Sequence, residues 1–221
     1  MRGIVFDFDG TLVDSLGDAM ASFNHAIEEL GEAPRTADEI KRYFGAGADR
    51  ILSQVLGDES KGKRAFEIYK DHQRRSAHRV VLHSGIAELL DQIASHKVPI
   101  AIVTGRHSED LEIVIERHRI STRFVTIIAD NHVPRSKPAP DGILLAASRL
   151  GLDAGEVMYV GDSPVDIQAA RSAGAVSVAA MLDRLTRREL MAPHSPRFWA
   201  DHPRQVWEIF IERGKTECSK S

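Results

Sequence analysis

Short apolar, β-branched runs recur along this chain at residues 4–8, 99–103, 124–129, 157–160 and 175–180. The segments between them carry a helical period. Ile86, Leu89, Leu90 and Ile93 fall at i, i+3, i+4 and i+7, as do Leu111, Val114, Ile115 and His118, and again Ile143, Ala146, Ala147 and Leu150. Strands alternating with single amphipathic helices predict an α/β fold with a parallel sheet and right-handed crossovers. In such sheets ligands bind outside the carboxyl ends of the strands.

One interval breaks the alternation. Between residues 15 and 81 no convincing strand pattern occurs. Phe23, Ala26, Ile27 and Leu30 are spaced as a helix face with Gly31 as a stop, and Ile51, Leu52, Val55 and Leu56 form another ended by Gly57. A third, highly charged helix is predicted over 65–79. The interval is too long for an ordinary loop and reads as an inserted helical domain, 15–81, dividing a main domain made of 1–14 and 82–221. Residues 44–49 do not complete a GxGxxG pattern and read as a helix-to-helix turn, while 198–201 reads as an edge strand before a last helix with Val206, Ile209 and Phe210.

Composition narrows the class of function. The chain has 221 residues, 43% hydrophobic and 28% charged, enough for a buried core in an ordinary soluble protein. Twenty-nine basic against 32 acidic residues give a formal charge of −3, which offers no basic field for nucleic acid. No apolar run approaches the ~20 residues of a membrane span, and no signal peptide is read at the N-terminus. The single cysteine, Cys218, lies in a polar tail and reads as inert, so a reducing, cytoplasmic location is expected. The histidines at 72, 78, 83, 96, 118, 132, 194 and 202 share no metal-ligand spacing and read as surface or satisfied residues.

The candidate chemistry lies in four short stretches. Asp7-Phe8-Asp9-Gly10-Thr11 places two carboxylates where the first strand should end. Val103-Thr104-Gly105-Arg106 closes another strand, Lys137-Pro138-Ala139-Pro140-Asp141 enters a helix, and Tyr159-Val160-Gly161-Asp162-Ser163-Pro164-Val165-Asp166 runs from strand to helix. Singly, each has an ordinary explanation: a turn at Asp9 and Gly10, an N-cap at Thr104, a surface lysine, and Asp162 as an N-cap with Pro164 in the first turn. Together they bring a polar residue suited to phosphate chemistry to three strand ends and one helix entry.

These four stretches resemble the motifs of the haloacid dehalogenase superfamily, phosphatase branch, over nearly the whole chain. The resemblance implies a Rossmann-like core with a parallel sheet flanked by helices, plus a small α-helical cap inserted after the first strand. Residues 162–174 with Ser136-Lys137-Pro138 are most similar to phosphoglycolate phosphatases and their pyrophosphatase relatives. The implied activity is Mg²⁺-dependent hydrolysis of a small phosphorylated metabolite. Asp7 is the expected nucleophile and Asp9 the general acid and base, its side chain free for proton work. Thr104, the backbone N–H of Gly105 and Lys137 are expected to hold the phosphoryl group. The metal falls to Asp7, Asp162 and the backbone carbonyl of Asp9, with Asp166 behind them orienting Lys137 or a metal water. A covalent intermediate splits a very slow hydrolysis into two steps. Repulsion between carboxylate and phosphoryl dianion, roughly 8 kcal/mol at an effective dielectric near 20, calls for a cation to offset it.

Within that resemblance the second aspartate, Asp9, argues against a dehalogenase or phosphonatase. An inorganic pyrophosphatase and a β-phosphoglucomutase-like enzyme stay open, although Gly161 stands where the mutases carry an acidic residue. A non-catalytic binding protein is disfavoured because neither the nucleophile nor the lysine is lost. Arg106, His107, Asp49 and Arg50 have no assigned role, and a monomer or homodimer is expected.

Overall fold

The computed structural model describes residues 1–43 and 47–218. Among the described residues eight strands appear in chain order: β1 (Gly3–Phe6), β2 (Val13–Asp14), β3 (Val81–Leu82), β4 (Ile100–Val103), β5 (Thr126–Ile128), β6 (Val157–Gly161), β7 (Val176–Ala180) and β8 (Phe198–Ala200). Six of them form one sheet in the order β5-β4-β1-β6-β7-β8, every pairing parallel. The order reverses beside β1, which has β4 on one side and β6 on the other. That is the switch point where such sheets bind ligands.

Alternation along the strands fills two cores. Ile4, Phe6, Ile102, Met158 and Val160 pack on one face with Leu89, Leu90 and Ile93. Val5, Ala101, Val103 and Tyr159 pack on the other with Ile143, Ala146 and Ala170. The helices supplying the first face include α5 (Ile86–Ser95), α6 (Ser108–His118) and α10 (Pro203–Cys218), and α7 (Asp141–Leu150) and α8 (Pro164–Ala173) supply the second. Each large apolar side chain so buried contributes roughly 1.5–3 kcal/mol. The short α9 (Arg188–Met191) adds Met191 to a small satellite cluster with Ile167 and Ala179.

The inserted segment is helical, as the sequence predicts. It holds α1 (Leu16–Glu28), α2 (Ala37–Lys41), α3 (Ala48–Leu56) and α4 (Glu59–Ser76), packed around Phe23, Ile27, Ile40, Ile51 and Leu52. Two details differ from the periodicity. α4 starts six residues before 65, because the Asp58 carboxylate accepts from the Lys61 N–H at 2.9 Å and Gly62 lies flat against Ser53. α2 escapes the pattern because five residues show no period; its signal was the capping box of Thr36 and Glu39. β2 and β3 pair antiparallel where the chain enters and leaves this segment. Of the turn expected over 44–49, Phe44, Gly45 and Ala46 lie outside the described residues. At the other end α10 runs to Cys218, through a stretch read from sequence as a polar tail.

Candidate active site

Four chain segments meet at the carboxyl edge of the sheet. The Asp7 N–H donates to the Val160 carbonyl at 2.8 Å and the Thr104 N–H to the Ile128 carbonyl at 3.0 Å, so each ladder extends one residue past its strand and fixes the side chain that follows. Gly10 then turns the chain with φ +71°, and a Cβ there would lie 2.4 Å from Asp162 Oδ2. Only glycine brings the two loops this close. Asp162 follows β6, and Ser163 caps α8 in a capping box with Asp166. The cap is therefore Ser163, not Asp162 as the structural reading of that motif had it, and the Asp162 carboxylate is left for the cleft.

Asp7, Asp9, Thr104, Gly105, Lys137 and Asp162 all line one cleft of about 790 Å³, including its open mouth. Asp166 stands behind them, fully buried. Lys137 Nζ lies 2.6 Å from Asp166 Oδ1 and 3.0 Å from Asp7 Oδ1. The first contact is a hydrogen bond. The second is an ion pair to the buried Asp7 Oδ1. Asp166 collects further donors: the Ser163 N–H at 3.0 Å and hydroxyl at 2.6 Å reach Oδ2, and the Tyr159 hydroxyl stands 2.9 Å from Oδ1. Asp166 Oδ1 is thus the hydrogen-bond acceptor for Lys137 Nζ.

Asp7, Asp162 and Asp166 can each turn an oxygen into a group no wider than 4.8 Å. Burial and then the neighbouring Asp166 push the Asp7 carboxyl up to about 7 against the pull of Lys137. Burial, then Asp7 and Asp166, raise Asp162 as well. Burial opposes the charge on Lys137, but Asp166 and Asp7 outweigh it and hold the ammonium well above its ordinary value. Crowded, desolvated carboxylates of this kind are short of positive charge.

Residues 4–180 match the haloacid dehalogenase-like hydrolase family. The chain belongs to that family. A phosphoglycolate phosphatase of Vibrio parahaemolyticus is 30% identical over 216 residues, covering 93% of this chain and 94% of its own. An N-acetylmuramic acid 6-phosphate phosphatase of Pseudomonas aeruginosa is 27% identical over 222 residues, covering 99% and 98%. A solved hydrolase structure from Pseudomonas syringae superimposes with a TM-score of 0.86 at 22% identity over 96% of this chain and 99% of its own, a likeness that speaks for the fold.

The expectation for Asp9 needs correcting. The Asp9 carboxylate is not free. Arg106 grips it in a fork, Nε to Oδ2 at 2.8 Å and Nη2 to Oδ1 at 2.7 Å, and the Ser15 hydroxyl donates to Oδ1 at 2.5 Å. Burial raises this carboxyl, yet the charge and hydrogen bonds of Arg106, with Ser15, prevail and leave it below the usual range. Arg106 was visible in the sequence as an unassigned residue two beyond Thr104; its partner, 97 positions away, was not. Tyr159, Ser163, Ser15 and Thr186, whose hydroxyl donates to Asp162 Oδ2 at 3.2 Å, were not found by sequence reasoning either. Ser163 and Asp166 at capping-box spacing were the one usable signal. Arg50 is exposed, with no place in the cleft. His83 departs from the satisfied histidines expected: its Nε2 is buried without a hydrogen-bond partner, 3.9 Å from Asp183 Oδ2.

Proposed function

We propose that the protein hydrolyses a small phosphate monoester with Mg²⁺ through a phosphorylated Asp7. The enzyme class, a phosphoric monoester hydrolase, follows from the family and from relatives that bear phosphatase names. The observation that carries the proposal is Asp7 itself: a buried carboxylate at the switch point, with Lys137 Nζ 3.0 Å from its Oδ1.

The residues fit the metal. Asp7 and Asp162 present hard oxygen donors, and the Asp9 backbone carbonyl would be the third ligand in this reading. Mg²⁺ bound there supplies the positive charge that the carboxylates and the phosphoryl dianion lack. Asp7 attacks phosphorus and the bond from phosphorus to the alcohol oxygen breaks. Thr104 and the Gly105 N–H hold phosphoryl oxygens, and Lys137, fixed by Asp166, neutralises one of them. Asp9 protonates the departing oxygen, then takes a proton from the water that attacks the aspartyl phosphate and restores Asp7. Asp9 can act so only when Arg106 releases it, and substrate arrival is the event that would compete for Arg106. In this reading the cap is 15–81 and the core 1–14 with 82–221, the paired β2 and β3 forming the connection between them.

Mutase chemistry is the weaker alternative. A Cβ on Gly161 would lie 2.5 Å from Asp166 Cβ, so no acidic side chain fits at that position. A reducing, cytoplasmic setting and a monomer or homodimer complete the proposal. Among the described residues no helix is long and apolar enough to cross a membrane.

The test is direct. Acid quench during Mg²⁺-supported turnover of a phosphate monoester should recover phosphate on Asp7, located by mass spectrometry. Asp7→Asn should lose about 10⁴ or more in turnover while keeping the fold. Retention of more than about a thousandth of the rate by that variant would overturn the nucleophile.

A further inference from the structure

A second, smaller pocket of about 300 Å³, including its open mouth, adjoins the cleft at Asp162 and Ser163, which line both. The helical insertion contributes Lys41, the last residue of α2, and the core contributes the loop 185–187. That loop is held in place by side-chain hydrogen bonds. The Asp183 carboxylate accepts from the Leu185 N–H at 2.8 Å, and the Thr186 hydroxyl donates to Asp162 Oδ2 at 3.2 Å, which brings Arg187 to the pocket.

Lys41 is 7% exposed, and its Nζ is buried with no hydrogen-bond partner. A lysine in the last turn of a helix can bond the final carbonyls; this one does not. Burying an ammonium with no acceptor is unfavourable. Asp38 and Asp183 attract it through space only, while burial first and Arg187 next hold the ammonium below its ordinary value. Arg187 is exposed; its Nη1 donates to the Arg184 carbonyl at 2.8 Å, and among the described residues it pairs with no carboxylate. Two cations therefore border the pocket against one carboxylate, Asp162, whose Oδ2 already accepts from Thr186.

We infer that Lys41 and Arg187 form an oxyanion site, separate from the place of the reacting phosphoryl group, that takes a carboxylate or phosphate group between the insertion and the core. The anion would accept from Lys41 Nζ and lie beside two charges that now repel each other. Two sources offer that chemistry. One is a second anionic group on the alcohol part of the substrate, which the shared lining of pocket and cleft puts within reach. The other is free inorganic phosphate. The first source rests on the phosphatase reading above; the site itself does not.

Calorimetric titration of the full chain with inorganic phosphate in excess chelator reads the site directly, because without Mg²⁺ the catalytic carboxylates repel the anion. Lys41→Met should weaken phosphate binding by about tenfold or more, the worth of one hydrogen bond to a charged group, and should abolish the rise in Tm that phosphate gives the wild type. Arg187→Gln, at an exposed position, repeats the loss if the first variant does not fold. Esters then identify the source. With Mg²⁺, a substrate group at the site makes kcat/KM for phosphoglycolate exceed that for ethyl phosphate, or that for 1,3-propanediol bisphosphate exceed that for propyl phosphate, by about tenfold, and Lys41→Met draws the ratio toward one. Phosphate binding that depends on Lys41, with ratios that do not, assigns the site to the free anion. If neither phosphate affinity nor either ratio depends on Lys41 or Arg187, the inference is overturned, while turnover of the esters keeps the phosphatase reading. If 4-nitrophenyl phosphate and all the esters are inert with Mg²⁺, the phosphatase reading falls and the phosphate titration alone decides the site.

Discussion

At the scale of single residues, the pair that distinguishes this site is Asp9 with Arg106. The guanidinium holds the carboxylate ionised, whereas an acid must carry a proton to give one. Removing the guanidinium removes what lowers the Asp9 pKa and leaves burial to raise it. Arg106→Met should therefore move the alkaline limb of the kcat–pH profile for an alkyl phosphate to higher pH, and should do so less for an aryl ester, whose leaving group needs no proton. A profile that keeps its alkaline limb while KM alone rises would assign Arg106 to substrate binding and not to the control of Asp9. Gly161 and Gly10 act at the same scale through what they lack. Each leaves room for a carboxylate, Asp166 in one case and Asp162 in the other.

Elements decide how those residues meet. β1, β4 and β6 end at the same edge, and their ladders continue one residue further, so Asp7 and Thr104 inherit the stiffness of the sheet. The loop after β1 depends on Gly10, whose positive φ and contact with Asp162 can be separated experimentally. Gly57 also has a positive φ, +64°, but a Cβ there meets nothing within 4 Å. Gly57→Ala should thus cost about 1 kcal/mol, the left-handed backbone penalty alone. Gly10→Ala should cost ~2 kcal/mol or more, because it adds a clash with a catalytic loop. Urea midpoints measured on the two variants check the difference, and equal losses would mean that the approach of the two loops is not tight in solution.

For the whole molecule, the proposed metal site at the carboxylate cluster predicts a stability that depends on pH and on Mg²⁺ together. The Asp7 carboxyl is raised from 3.8 to about 7 in the fold. A raised acid favours the protonated fold, so its contribution is fully present below pH ~4 and is lost as pH climbs through about 7. Mg²⁺ needs the ionised carboxylates, so its binding strengthens over the same span. The gain in Tm on adding Mg²⁺ should be small near pH 5 and grow toward pH 8. At a concentration about a hundredfold above its dissociation constant the ion adds ~2.7 kcal/mol, or roughly 5–10 °C for a chain of this size. Taking the difference with and without metal cancels groups remote from the cluster, such as His83, whose neutral form burial favours. A gain that is constant across pH would remove these carboxylates from the metal site.

The sequence by itself determined the sheet, because alternation between apolar strands and helices of period 3.6 is a local property. It also determined which polar residues stand at strand ends, since Asp7, Thr104 and Asp162 follow apolar runs directly. β2, β3 and α2 were too short to display any period. Only the tertiary structure decided the partners. Arg106 is 97 residues from Asp9, Lys137 is 29 from Asp166, and Phe23 is 46 from Tyr69. Charge pairing and ring packing act over a few ångströms in space and leave no periodic mark along a chain. The Phe23 and Tyr69 rings were therefore legible only as helix core until the fold brought them to the cleft that Asp7 lines.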